Sequence, residues 1–141
     1  LVEAERVKRA MLWQTRELQA LRVAEMLAAR GVEIVSPDAE PRELAQCELG
    51  VTGADAALPE TGTLVLRTTP EQSSLVSLLP RVHLAMAHPS ALRADLRQVL
   101  AEIKNDRHSV FVTGSSRTSD IEKTLTLGVH GPKSLYVWVY E

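Results

Sequence analysis

Two stretches hold residue types that can do chemistry. The first is TGADAALPETGT, Thr52 to Thr63, where Asp55 and Glu60 stand among Thr52, Thr61, Thr63, Gly53 and Gly62. Glycine lets a backbone come close to a ligand. A carboxylate at Glu60, held between Pro59 and Thr61-Gly62, has the setting of an acid, a base or a nucleophile. The same residues also suit an ordinary hairpin loop whose Asp and Thr side chains satisfy backbone groups. The second stretch is FVTGSSRTSDIEKTLTLGVHGP, Phe111 to Pro132. It begins like a strand and then spends Gly114, Ser115, Ser116, Arg117 and Thr118 on a turn. Backbone N–H groups of such a turn can point at an anion, and Arg117 adds a fork of donors. Ser119-x-x-Glu122 is a capping box, so the same turn also reads as a plain strand-to-helix connection. Asp120 and Glu122 put negative charge in the first helical turn, which the dipole favours but an anion does not. His130 precedes Gly131-Pro132 at the expected helix end.

The elements that must position these residues follow from pattern. Val2 to Arg30 lacks internal Gly and Pro and is rich in Ala, Leu, Glu and Arg, which predicts one long helix or two. Gly31 ends it. Val32–Val35 is a strand, and Pro41 to Cys47 a short helix with Pro in its first turn. Gly50–Gly53 and Thr63–Leu66 are strands joined by a hairpin-like loop. Glu71–Leu79 is a short helix closed by Pro80, and Arg81–Ala87 a buried strand. Pro89–Lys104 is an amphipathic helix with Leu92, Leu96, Val99, Leu100 and Ile103 on one side. Ser109–Thr113 is a strand, Ser119–Gly128 a helix and Leu135–Tyr140 a last strand. This alternation predicts an α/β domain with a mainly parallel sheet flanked by helices. Ligands in such sheets bind beyond the carboxyl ends of the strands, where the Gly114–Thr118 loop is expected.

Composition narrows the partners. The 141 residues fit one domain, 1–141, able to bury roughly 70% of its unfolded surface. Sixteen basic and 18 acidic residues give a net charge of -2 without a basic stripe, which argues against nucleic acid and anionic membrane. No apolar run nears the ~18 residues of a membrane span. The single Cys47 forms no internal disulfide and no cysteine metal cluster, and reads as a small buried hydrophobe. His83, His88 and His108 have no metal-ligand spacing, and His83 reads as a core histidine. Neither G-x-G-x-x-G nor G-x-x-x-x-G-K-[ST] occurs.

Three segments together, GVTGADAALPETGTLVL, LVSLLPRVHLAMA and FVTGSSRTSDIEKTLTLGVHGP, resemble the lactate-utilisation protein C family (LutC/YkgG) of the LUD domain superfamily. The resemblance covers about Glu48 to Tyr140. Its T-G/S-x-D…E-x-G-T pattern falls on Thr52, Gly53, Asp55, Glu60, Gly62 and Thr63. Its second pattern falls on Thr113, Gly114, Ser116, Ser119, Asp120, Ile121 and Glu122, and G-V-H-G-P on Gly128 to Pro132. Ser115 stands where the family often has Pro, and Ser74 where many members carry Arg, a contact that Arg67 or Arg81 would have to replace. The chain is shorter than typical members, which leaves room for a further N-terminal strand–helix unit.

The resemblance implies a fold like that of the glucosamine-phosphate isomerase, ribose-phosphate isomerase and CoA-transferase group (NagB/RpiA/CoA transferase-like). It implies a cytoplasmic bacterial protein that supports oxidation of L-lactate to pyruvate with LutA- and LutB-like partners, which carry the iron–sulfur clusters. It also makes Glu60 and Asp120 the acid/base candidates. A small anionic ligand would contact Thr52, Gly53, Asp55, Thr61, Gly62, Thr63, the Gly114–Thr118 loop and His130, all at one end of the sheet. This chain has no redox cofactor motif of its own and no metal site. Two other readings stand beside this one: a stand-alone enzyme using Glu60 in CoA-transferase or sugar-phosphate chemistry, and a non-catalytic assembly module.

Overall fold

A computed structural model describes residues 1–106, 108–113, 117–119, 125–127 and 131–141. Its centre is a five-stranded, all-parallel sheet. In chain order the strands are β1 (Arg9–Leu12), β2 (Glu33–Val35), β3 (Leu49–Gly53), β6 (Val82–Ala87) and β10 (Ser134–Val139). In space they run β10-β6-β3-β1-β2. β3 and β6 are buried along their whole length, which is why they read as unbroken apolar runs.

The long N-terminal helix is not formed. Arg9–Leu12 is a strand between β2 and β3, and the helices are α1 (Arg16–Ala20) and α2 (Val23–Ala28). Helix propensity is a weak prior, and burial decides here: Ala10 and Met11 are fully buried in mid-sheet. The Glu48 carboxylate accepts from the backbone N–H of Lys8 (3.1 Å) and Arg9 (2.8 Å), which pins the entry of β1 beside β3.

α1 and α2 bury Leu18, Val23 and Leu27 in one core with Leu12, Val51, Leu84 and Met86. α3 (Pro41–Leu44) leads into β3 and buries Leu44 in the same core. Across the sheet, α4 (Leu75–Leu78) comes so near β3 that a Cβ on Gly50 would lie 1.8 Å from the Val76 carbonyl oxygen.

A second sheet is antiparallel: β4 (Ala56–Leu58), β5 (Thr63–Arg67) and β7 (Ser109–Val112), in the order β4-β5-β7. The expected hairpin between Gly50–Gly53 and Thr63–Leu66 is therefore the tighter β4–β5 hairpin, while β3 pairs in the parallel sheet. The inner face of this second sheet sets Ala57 and Leu64 on Ala85. Its outer face sets Ala56, Leu58 and Val65 under Val99 of α5 (Leu96–Glu102).

The expected helix over Pro89–Lys104 is shortened. A 3-10 turn at Pro89–Ala91 precedes α5, whose N-cap Asp95 accepts from Gln98 N–H (2.9 Å). Leu92, Leu96 and Leu100 stay exposed, so the buried face is narrower than the spacing suggested. The expected helix Ser119–Gly128 also fails at both described ends. Arg117–Ser119 is β8 and Leu125–Leu127 is β9, paired antiparallel; residues 120–124 and 128 lie outside the described residues. Among the described residues no helix is long and apolar enough to cross a membrane.

Candidate functional site at the switch point of the parallel sheet

The chain leaves β1 for β2 on one side and returns for β3 on the other. That reversal makes the carboxyl ends of β1 and β3 the topological switch point, where open α/β sheets hold ligands. A cleft of about 220 Å³ lies there. Thr15 and Glu17 line it after β1, Gly53 and Asp55 after β3, and His88, Ser90 and Arg93 after β6. Trp13 forms a fixed wall: it is 2% exposed, and its indole N–H donates to the Ser73 carbonyl (2.9 Å). Larger hollows beside Ile34–Pro37 (about 430 Å³) and beside Thr68–Ser74 (about 740 Å³) gather no comparable set of ionisable groups.

Thr15 caps α1 by accepting from Leu18 N–H (3.3 Å), which sets Glu17 in the first turn. A Cβ on Gly53 would stand 3.7 Å from Glu17 Oε2, so this carboxylate overhangs the end of β3. Asp55 accepts from Arg67 N–H through Oδ2 (2.8 Å) and donates its own N–H to the Val65 carbonyl (3.0 Å), fixing the turn from β3 into β4.

His88 Nδ1 accepts from Ser90 N–H (3.2 Å), which leaves the neutral ring's proton on Nε2. Its ring meets Tyr140 edge-on at 5.7 Å, and burial, then the charge of Glu17, pushes the Tyr140 phenol up. The Arg93 guanidinium is committed to the frame, donating from Nε to Glu102 (2.7 and 3.0 Å) and from Nη1 to the carbonyls of Ser90 and Leu92. The cleft thus offers carboxylate acceptors, an imidazole donor and a hydroxyl. That set suits a small molecule bearing hydroxyls, and a carboxylate can take a proton from one.

The structure distributes the other candidates. Thr52 is fully buried, its Oγ1 2.8 Å from His83 Nε2. His83 is a core histidine, pushed down to about 4 by burial. Thr61 and Thr63 share a hydroxyl–hydroxyl contact of 2.8 Å, and Gly62 takes φ +64 to close the β4–β5 turn. Glu60 is exposed on that turn, at the opposite end of β4 from Asp55, and does not line the cleft.

Leu64 pairs with Val112, so Thr113 leaves β7 at the Glu60 end. This exit belongs to the antiparallel sheet and not, as expected, to the carboxyl edge of the parallel one. Arg117 and Thr118 stand in β8 opposite Leu127 and Thr126. Gly114, Ser115, Ser116, Asp120 and His130 lie outside the described residues. Gly131 (φ +85) and Pro132 lead into β10 at the amino edge of the parallel sheet, away from Gly53 and Asp55. Arg67 pairs with Asp106 (3.1 Å) and Arg81 with Glu5 (3.0 Å), so both arginines have partners of their own.

Trp13, Thr15, Glu17, His88 and Arg93 escaped the sequence reading. The first three were hidden in a segment read as helix. Thr15 before Arg16-Glu17 is an N-cap signal that marks the true start. Among the described residues, no group of three or more His, Cys, Asp or Glu side chains is placed to hold a metal ion.

A family model for the LUD domain matches residues 19–140. The chain belongs to the LUD domain family. Among its relatives is a protein named lactate utilization protein C from Exiguobacterium, 37% identical over 110 residues, covering 71% of this chain and 48% of the relative. Another protein of that name, from Shouchella clausii, is 31% identical over 143 residues, covering 94% and 62%. The LUD domain described here therefore spans about half to three fifths of their length. A solved DUF162 family protein from Deinococcus radiodurans shares the α/β fold, with a TM-score of 0.62 at 19% identity over 98% of this chain and 90% of that one.

Proposed function

We propose that this LUD domain, taken as one unit over 1–141, serves a bacterial L-lactate utilisation system in the cytoplasm. It supports oxidation of lactate to pyruvate together with iron–sulfur partners of LutA and LutB type. The observation that carries this reading is the 37% identity to a lactate utilization protein C. The likeness to the isomerase and CoA-transferase fold group belongs to the same proposal.

The ligand site is the switch-point cleft. A hydroxy acid has a hydroxyl that can donate to Glu17 or Asp55 and a carboxylate that can accept from His88 Nε2–H. Redox chemistry needs a cofactor, and the clusters of the partners supply it. Glu60, Thr61 and Gly62 form a second polar set on the β4–β5 turn, at the other end of β4; the Gly114–Thr118 loop, Asp120 and His130 are candidates for it by sequence alone.

The test is lactate-dependent dye reduction by the two iron–sulfur partners, with and without this chain. Activity is expected to require the chain. Asp55→Asn, which keeps an acceptor oxygen for Arg67 N–H, is expected to lower it about 100-fold. Glu60→Gln separates the two polar sets: unchanged activity supports the cleft, and a loss moves the site to the hairpin turn. Partners that reduce the dye equally well alone would sink the lactate reading.

A further inference from the structure

Among the described residues, the edge strand β10 has no neighbour on its outer side, where the parallel sheet ends. It also carries four consecutive exposed large side chains: Tyr136 (39%), Val137 (48%), Trp138 (54%) and Val139 (53%). Edge strands of folded proteins are normally blunted by a charge, a proline or a bulge. Between Ser134 and Tyr140 there is none; the charges, Lys133 and Glu141, stand only at the two flanks.

We propose that β10 pairs antiparallel with β10 of a second copy, about a two-fold axis through Val137, to join two five-stranded sheets into one. Backbone direction selects this register. The Arg81 carbonyl accepts from Lys133 N–H, just before the strand, and from Ser134 N–H, and the Ala87 carbonyl accepts from Tyr140 N–H, so from Ser134 onward the even-numbered residues turn their backbone groups inward to β6. Directions alternate along a strand, so Leu135, Val137 and Val139 hold their N–H and C=O groups toward the open edge. A two-fold on an odd residue uses these free groups, with about six hydrogen bonds across the axis.

Side-chain chemistry then selects Val137 among the odd positions. Centred there, Lys133 faces Glu141 of the second copy, and Leu135 faces Val139. Tyr136 faces Trp138 twice, once on each side of the axis. These are opposite-charge, aliphatic and aromatic cross-strand pairs of the kind that stabilise sheets. Centring on Leu135 sets Lys133 against Val137, and centring on Val139 sets Glu141 against Val137, so both lose the charge match. Trp138 also borders an apolar groove of about 410 Å³ lined by Met26, Leu27 and Leu84, which extends the surface on the same face.

The test uses the 141-residue chain. Sedimentation across a concentration series is expected to show a monomer–dimer equilibrium. Val137→Lys, an exposed change that sets two like charges on the axis, is expected to leave a monomer with an unchanged circular dichroism spectrum. In a Cys47→Ala background, Val137→Cys is expected to oxidise to a disulfide dimer, because paired Cα atoms there lie about 5.5 Å apart. Val139→Cys, about 15 Å from its own copy across the axis, is expected to remain reduced. A chain that stays monomeric at high concentration overturns the proposal and leaves the edge to another occupant. A dimer that survives Val137→Lys, or that crosslinks equally through Val139→Cys, overturns it too.

Discussion

His83 shows how one side chain couples acid to stability. It is fully buried and its folded pKa sits at about 4, below the ordinary histidine value, because burial disfavours the charged ring. The unfolded chain binds the proton first, so the stability that His83 contributes is complete above about pH 6.5 and is lost as pH falls toward 4. The size of that loss is about 3 kcal/mol. The Glu48 carboxyl is raised by burial, but backbone N–H donors from Arg9 and Lys8 outweigh this and hold it below its usual range. Its contribution starts to be lost only below pH 4.5, where most of the histidine loss is already complete. Denaturant melts at pH 7.5 and pH 4 are expected to show the histidine loss in the wild type and not in His83→Gln. An equal drop in both would show that another group carries it. The burial of His83 was legible from its apolar neighbours on Arg81–Ala87. Its hydrogen bond to Thr52 was not, because that contact joins two strands separated in the chain by β4, β5 and α4.

At the scale of elements, α4 and β3 meet at a point that only glycine allows. The Val76 carbonyl occupies the place of a Gly50 side chain, so Gly50→Ala forces backbone apart. A loss of about 3 kcal/mol is expected, read as a lower denaturant midpoint at unchanged slope. A variant as stable as the wild type would show that α4 can shift without cost. The same scale explains which elements could be read in the sequence. β3, β5, β6 and β10 announced themselves as apolar runs between turn residues. β1 did not, since Arg9-Ala10-Met11-Leu12 is made of good helix formers and becomes a strand only through its place between β2 and β3. The capping box at Ser119 misled for the same reason: Ser119 pairs with Leu125 in a strand ladder. Local preference gave way to pairing in both places, and the missed β1 concealed the half of the cleft formed by Trp13, Thr15 and Glu17.

For the whole molecule, the strand order matters beyond the ligand site. After β1 and β2, each later strand of the parallel sheet joins on the outside: β3 on β1, β6 on β3, β10 on β6. No strand has to insert between two that are already paired. A ribosome could therefore build this sheet in the direction it synthesises the chain, with every finished piece left standing. The exposed flank moves outward with synthesis, and β6 is covered only when Ser134–Val139 emerges. A chain stopped before Ser134 leaves Val82–Ala87, buried at every position in the full chain, as an open apolar edge. Such a chain is expected to aggregate or be held by chaperones, and recovery in the soluble fraction of a release assay checks it. Soluble, folded recovery of the truncated chain would show that the four remaining strands close on their own, and that the last strand is an addition rather than the lock.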